Sequence, residues 1–167
     1  ILCRYTIPKI NINDHRNKKY LTGGEIYEIG CYPLSLLYFL FNLDLNKLQK
    51  IDVKSVKLKN KQLISFNIHN TKFILSWGYD SIYRNRIIYK DNDLTLVSNK
   101  IFGKRIDDKI NIQIRKKNTV KILSFKNSDN FFYMFKYFLN LKNYYKNRNL
   151  MFKEIIKVSE LINFFKI

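Results

Sequence analysis

Between residues 50 and 125 the chain changes side-chain character at every second position, and this period of two constrains the fold more than any other feature. Val53, Ser55 and Lys57 alternate with Lys54, Val56 and Leu58, and the pattern returns over 63–68, 73–79, 86–89, 94–97, 110–114 and 120–125, giving seven candidate strands. Turn formers separate them: Lys59-Asn60-Lys61, His69-Asn70, Lys90-Asp91-Asn92-Asp93 and Lys116-Lys117-Asn118. Connections this short imply antiparallel pairing.

The flanks read differently. Residues 1–22 form an extended or irregular lead, since Pro8 bars a continuous helix and Asn11, Asn13, Asp14 and Asn17 favour turns. After Gly23-Gly24-Glu25 the period lengthens. Ile26, Ile29, Leu36, Leu37, Leu40 and Phe41 then fall on one helical face, with Pro33 kinking the stretch or dividing a short turn from the main helix, which ends near Asn42-Leu43-Asp44. Asp129 is placed to cap a closing helix bearing Phe132, Phe135 and Leu139, and a last helix follows from about 151 to 165. The chain therefore reads as a single α+β domain, 1–167: lead 1–22, motif helix 23–43, sheet 50–125 and closing helices 129–166. Its centre is a large open, mainly antiparallel β-sheet with helices on one face. The other face, carrying apolar residues, is a surface for another copy, so a homo-oligomer is expected.

Composition bears on partners. In 167 residues, 31 Lys and Arg against 13 Asp and Glu leave a formal charge of +18, which ordinarily suggests a polyanion partner. The chain has no Ala, 20 Asn and 24 Lys, however, which is the profile that an AT-rich genome imposes through codon usage. The charge is also dispersed, and its densest runs, Arg16-Asn17-Lys18-Lys19 and Arg115-Lys116-Lys117, are short enough to be solvated turns. A basic, nonenzymatic nucleic-acid-binding or ribosome-associated protein is the alternative reading, with nucleic acid not the favoured partner; a pure assembly module is a third. Cys3 and Cys31 make neither a disulfide framework nor a metal set, so a reducing, cytoplasmic setting is expected. The longest apolar run, 34–43, is too short to span a bilayer, and no membrane association is expected. The first residue is Ile1, which suggests a segment of a longer reading frame.

No P-loop, Gly-x-Gly-x-x-Gly, HExxH or GxSxG is present, and His15 and His69 stand isolated. The informative segment is Gly23-Gly24-Glu25-Ile26-Tyr27-Glu28-Ile29-Gly30-Cys31-Tyr32-Pro33. A glycine pair ahead of a helix permits unusual torsions and close approach of another group. Glu28 and Tyr32, four apart, would project from one helical face, where an acid and a phenol can orient and protonate a sugar oxygen. Spacing alone favours the plainer reading, a helix start with Glu28 compensating the dipole.

This segment resembles the Gly-Gly-x-x-x-Asp-x-x-x-His/Tyr motif of the glucose-fructose oxidoreductase, inositol dehydrogenase and MocA (Gfo/Idh/MocA) family, with Gly23, Gly24, Ile29, Gly30, Cys31 and Tyr32 matching as they stand. The lead before it, the run SWGYDSIYRNRIIYKDNDLTLVSNKIFGKR and the closing DNFFYMFKYFLNL are similar to the family's pattern in the same order, so the likeness covers most of 4–142. The resemblance implies the C-terminal domain of a two-domain oxidoreductase. NAD or NADP would be bound mainly by an N-terminal Rossmann domain absent from this chain, and the substrate would be a sugar, sugar nucleotide or polyol. Tyr32 falls at the family's acid/base position and Glu28 at its Asp position, one methylene longer. Arg16, Gly23 and Gly24 fall on the substrate side, and Tyr83 and Asn85 match the sheet pattern. The isolated domain would be inactive.

Overall fold

The computed structural model describes residues 1–18, 22–43, 45–58, 61–80, 82–103, 107–125, 129–143 and 145–166. Asp44 at the expected end of the motif helix, Lys59 and Asn60 of the first expected turn, Lys19 of the basic run, and Ser81, Lys104 and Arg105 of the family-like run lie outside them.

Eight strands build the sheet: β1 (Leu2–Pro8), β2 (Val53–Leu58), β3 (Lys61–Ile68), β4 (Thr71–Asp80), β5 (Arg84–Lys90), β6 (Leu94–Asn99), β7 (Ile110–Lys116) and β8 (Thr119–Phe125). Their order is β2-β3-β4-β1-β5-β6-β7-β8. All neighbours are antiparallel except β1 and β4, which run parallel. This is the α+β, mostly antiparallel open sheet that the alternation predicts. The lead differs in one respect. Seven of its first eight residues form a central strand, with Cys3 opposite Leu75 on one side and Ile87 on the other.

A 3₁₀ turn (His15–Asn17) and a π-helical turn (Ile26–Gly30) precede α1 (Cys31–Phe41) and the short α2 (Leu45–Leu48); α3 (Asn130–Asn143) and α4 (Tyr145–Phe164) close the chain. Pro33 lies inside the continuous helical run that the π turn and α1 form, where its missing N–H leaves a gap in the helical hydrogen-bond pattern. Asn42 ends α1 in the left-handed region at φ 47°.

The π turn and α1 lie over β1 and β4, and α4 packs on α1. Strand alternation sends Cys3, Tyr5, Ile64, Phe66, Leu75 and Trp77 into this layer, where they meet Ile29, Leu34, Leu37, Leu161 and Phe165. Phe66 stacks on Phe73 at 5.1 Å, and the Gln62 amide donates to the Phe165 carbonyl at 2.9 Å, anchoring the end of α4 on β3. Far from this layer, Val120 and Ile122 of β8 are exposed. On α3, Phe132, Phe135, Phe138 and Leu139 are exposed as well.

Candidate substrate site

The glycine pair sets the geometry of the segment that follows. Gly23 and Gly24 have φ +76° and +91°, torsions that a Cβ disfavours. The Gly24 carbonyl then accepts from the Tyr27 and Glu28 N–H groups at 3.1 and 3.3 Å, starting the turn. An alanine at buried Gly24 is expected to destabilise the fold by about 1–3 kcal/mol through backbone strain. Urea denaturation checks this, and an unchanged midpoint would show that the turn relaxes without loss.

The segment from Glu28 to Tyr32 is not the regular α-helix that the spacing assumes. The i→i+5 pattern over Ile26–Gly30 breaks the period of 3.6 between them. Glu28 turns towards β4, where its carboxylate accepts a hydrogen bond from the Tyr79 hydroxyl. Burial and this bond hold the Tyr79 phenol far above its ordinary value, so it remains a donor. Arg16 stands within electrostatic reach of Glu28 and Tyr79. Its guanidinium is held from behind by Asp14 in a fork, Nε to Oδ1 at 2.9 Å and Nη2 to Oδ2 at 2.7 Å. Those bonds hold the Asp14 carboxyl well below the usual carboxylate range.

Tyr32 occupies a second cluster. Its ring meets Tyr5 edge-on at 4.9 Å and Phe102 at 5.8 Å, and it is 41% exposed. With Cys31, Leu36, Phe39 and Phe102 it walls an open hollow of about 480 Å³. Burial raises the Tyr32 phenol above its ordinary value, with Cys31 adding to the effect, so the hydroxyl carries its proton at neutral pH. Buried Asn85 fixes the Phe102 wall: its amide donates to the Phe102 carbonyl, its Oδ1 accepts from the Phe102 N–H at 2.8 Å, and it also donates to the Tyr83 hydroxyl at 2.9 Å.

The structure thus brings Arg16 and Glu28 to Tyr79, on the turn that the glycine pair starts, and seats Tyr32 against Tyr5 and Phe102. Sequence reasoning passed over Tyr79 and Tyr5, although each shares its strand's inward parity, with Trp77 and Cys3 respectively. Among the described residues no group of three His, Cys, Asp or Glu could hold a metal ion, and no helix is long and apolar enough to cross a membrane.

β1 carries two buried neutral acids on its inward face, Cys3 and Tyr5. Burial pushes the Cys3 thiol from 9.0 up to about 12. The Tyr5 phenol rises from 10.0 to about 12, through burial first and then its neighbours Tyr83 and Tyr32. In the unfolded chain both groups ionise at their ordinary values, so above those values the unfolded state binds fewer protons and stability falls. Thermal stability is expected to hold steady to about pH 9 and then drop as the pH climbs to about 12. Cys3→Ala should flatten the onset of that drop even though it melts lower at neutral pH. An alkaline profile with the wild-type slope in Cys3→Ala would exclude the thiol as its origin.

No family model and no curated protein matches the sequence. Solved structures do match. KijD10, a 3-ketoreductase from Actinomadura kijaniata in complex with NADP and TDP-benzene, superposes with a TM-score of 0.82 at 14% identity, over 97% of this chain and 51% of that one. Its open conformation superposes with a TM-score of 0.74, again at 14% identity, over 97% of this chain and 49% of that one. The chain spans about half the length of the solved structures it matches, and over nearly all of its own length it has the fold of that half.

Proposed function

We propose that this chain is the substrate-binding and oligomerisation domain of an NAD(P)-dependent oxidoreductase acting on a hydroxyl or carbonyl of a sugar, sugar nucleotide or polyol. The observation that carries the reading is the likeness of nearly the whole chain to half of a 3-ketoreductase solved with NADP and TDP-benzene. Tyr32 on the wall of an open hollow supports it.

The chain's own residues do not fit a dinucleotide phosphate cradle. The Gly24 N–H is taken by Thr22 Oγ1 at 3.2 Å, those of Tyr27 and Glu28 by the Gly24 carbonyl, and the carboxylates of Glu25 and Glu28 stand on the same turn, where they would repel phosphate. NAD or NADP would therefore be held by residues other than these 167, and when bound would supply the hydride chemistry. Within this chain, Tyr32 passes a proton to or from the substrate oxygen. Glu28, fixed by Tyr79 and balanced by Arg16, accepts a hydrogen bond from a neighbouring substrate hydroxyl. Gly23 and Gly24, placed on the substrate side, set through their positive φ the turn that carries Glu28.

The test uses the intact protein that carries this chain. NADPH or NADH is offered with keto-sugar nucleotides, keto sugars and keto-polyols, and loss of nicotinamide absorbance is followed. Turnover of at least one class is expected, and none from the isolated 167-residue chain. A folded intact protein that oxidises neither cofactor with any class would overturn the proposal.

A further inference from the structure

The sheet face opposite the π turn and α1 carries a cavity of about 410 Å³ whose lining, among the described residues, includes Arg4, Arg84, Arg86 and Lys100 but no acidic residue. Register explains the crowding. Arg4 of β1 sits directly across from Arg86 of β5, and Arg84 lies two residues along the same face, opposite Thr6. Like charges placed directly across a ladder destabilise it. Lys100 is neutralised by an ion pair with Asp108. Among the described residues nothing pairs with the side chains of Arg4, Arg84 or Arg86, and Arg84 Nε is shielded from water without a hydrogen-bond partner. A shielded guanidinium N–H left unpaired is destabilising.

We propose that this cavity is an anion site for a phosphate-bearing small molecule. Three uncompensated guanidinium groups exceed what one carboxylate neutralises. A phosphate carries about −1.5 to −2 at neutral pH and offers three acceptor oxygens to guanidinium forks. Leu2 and Ile88 supply apolar wall for the organic part of such a ligand, and the volume lies within the range of small-molecule sites. The site stands on the opposite sheet face from Tyr32 and Glu28 and does not depend on the oxidoreductase reading.

The test is a thermal-shift and calorimetric titration of the intact protein with inorganic phosphate and with pyrophosphate, against chloride at equal ionic strength. A saturable rise in melting temperature is expected. Arg84→Gln and Arg86→Gln should each weaken the apparent affinity by about tenfold or more. Arg115→Gln, elsewhere on the same face, should leave it unchanged. In phosphate-free buffer Arg86→Gln should melt no lower than wild type, because it removes the like-charge pair. Equal responses in all three variants, or no saturable response in wild type, would overturn the site. Loss of self-association in Arg86→Gln without any phosphate response would also overturn it, by showing that an acidic group of a second copy fills the cavity.

Discussion

Replacing Tyr32 with phenylalanine in the intact protein that carries this chain is expected, on the proposed function, to lower kcat by about 10²- to 10⁴-fold while leaving the melting temperature nearly unchanged. The two readouts separate because the ring and the hydroxyl do different work. The ring makes the contacts with Tyr5 and Phe102, and phenylalanine keeps them. Among the described residues the hydroxyl makes no hydrogen bond, so its removal leaves no buried partner orphaned. The raised phenol also fixes the sign of the pH dependence. As the acid of the proposed carbonyl reduction, Tyr32 should sustain kcat through neutral pH and lose it only on the alkaline side of the ordinary phenol range, because burial raises the phenol. Steady-state kinetics across pH check both points; a Tyr32→Phe variant within about twofold of wild type would remove the proton-transfer role. Glu28→Gln keeps an acceptor for Tyr79 but loses the charge facing Arg16, and should act mainly on KM.

Trp77→Ala is expected to cost about 3–5 kcal/mol, enough to threaten folding altogether. Trp77 is fully buried in the layer between β4 and the π turn, and its indole lies against Gly30. A Cβ on Gly30 would stand 2.8 Å from the indole Cε2 and Nε1, closer than atoms pack, and the ring is enclosed and has nowhere to move. Gly30→Ala should therefore destabilise by about 1–3 kcal/mol through overpacking. The two sites must couple. In a Trp77→Leu background, Gly30→Ala should be close to neutral, and a double-mutant cycle in urea reads the interaction directly. Strict additivity would mean that the two residues do not press on one another.

This pair also shows what could be read from the residues alone. The glycine was legible as part of a motif, but the reason for it lies 47 positions along the chain, on a strand whose register sequence cannot supply. The seven strands between 50 and 125 were legible because one period of two repeats between strong turn formers. β1 was not. Arg4 and Thr6 do alternate with Cys3, Tyr5 and Ile7, but Pro8 and the turn formers after it cut the pattern short, and the two strands that flank β1 lie far along the chain. Glu28 was legible as a candidate through its motif position, but not its orientation. A π turn leaves no periodic mark, and Tyr79 and Asp14, which fix Glu28 and Arg16, are joined to them only by tertiary structure and a local fork.

The central position of β1 has a kinetic consequence. β2 to β4 form one three-stranded meander and β5 to β8 a four-stranded one, each assembled from neighbours in the chain. The two meet only through β1, which must return across about 70 residues to find β4. Both halves can zip locally, but the junction waits for that long-range closure, so the late step in folding is the insertion of residues 2–8 between two ready-made edges. Until it happens, β4 and β5 expose unpaired ladders, and this is the interval in which the chain is most open to pairing with another molecule.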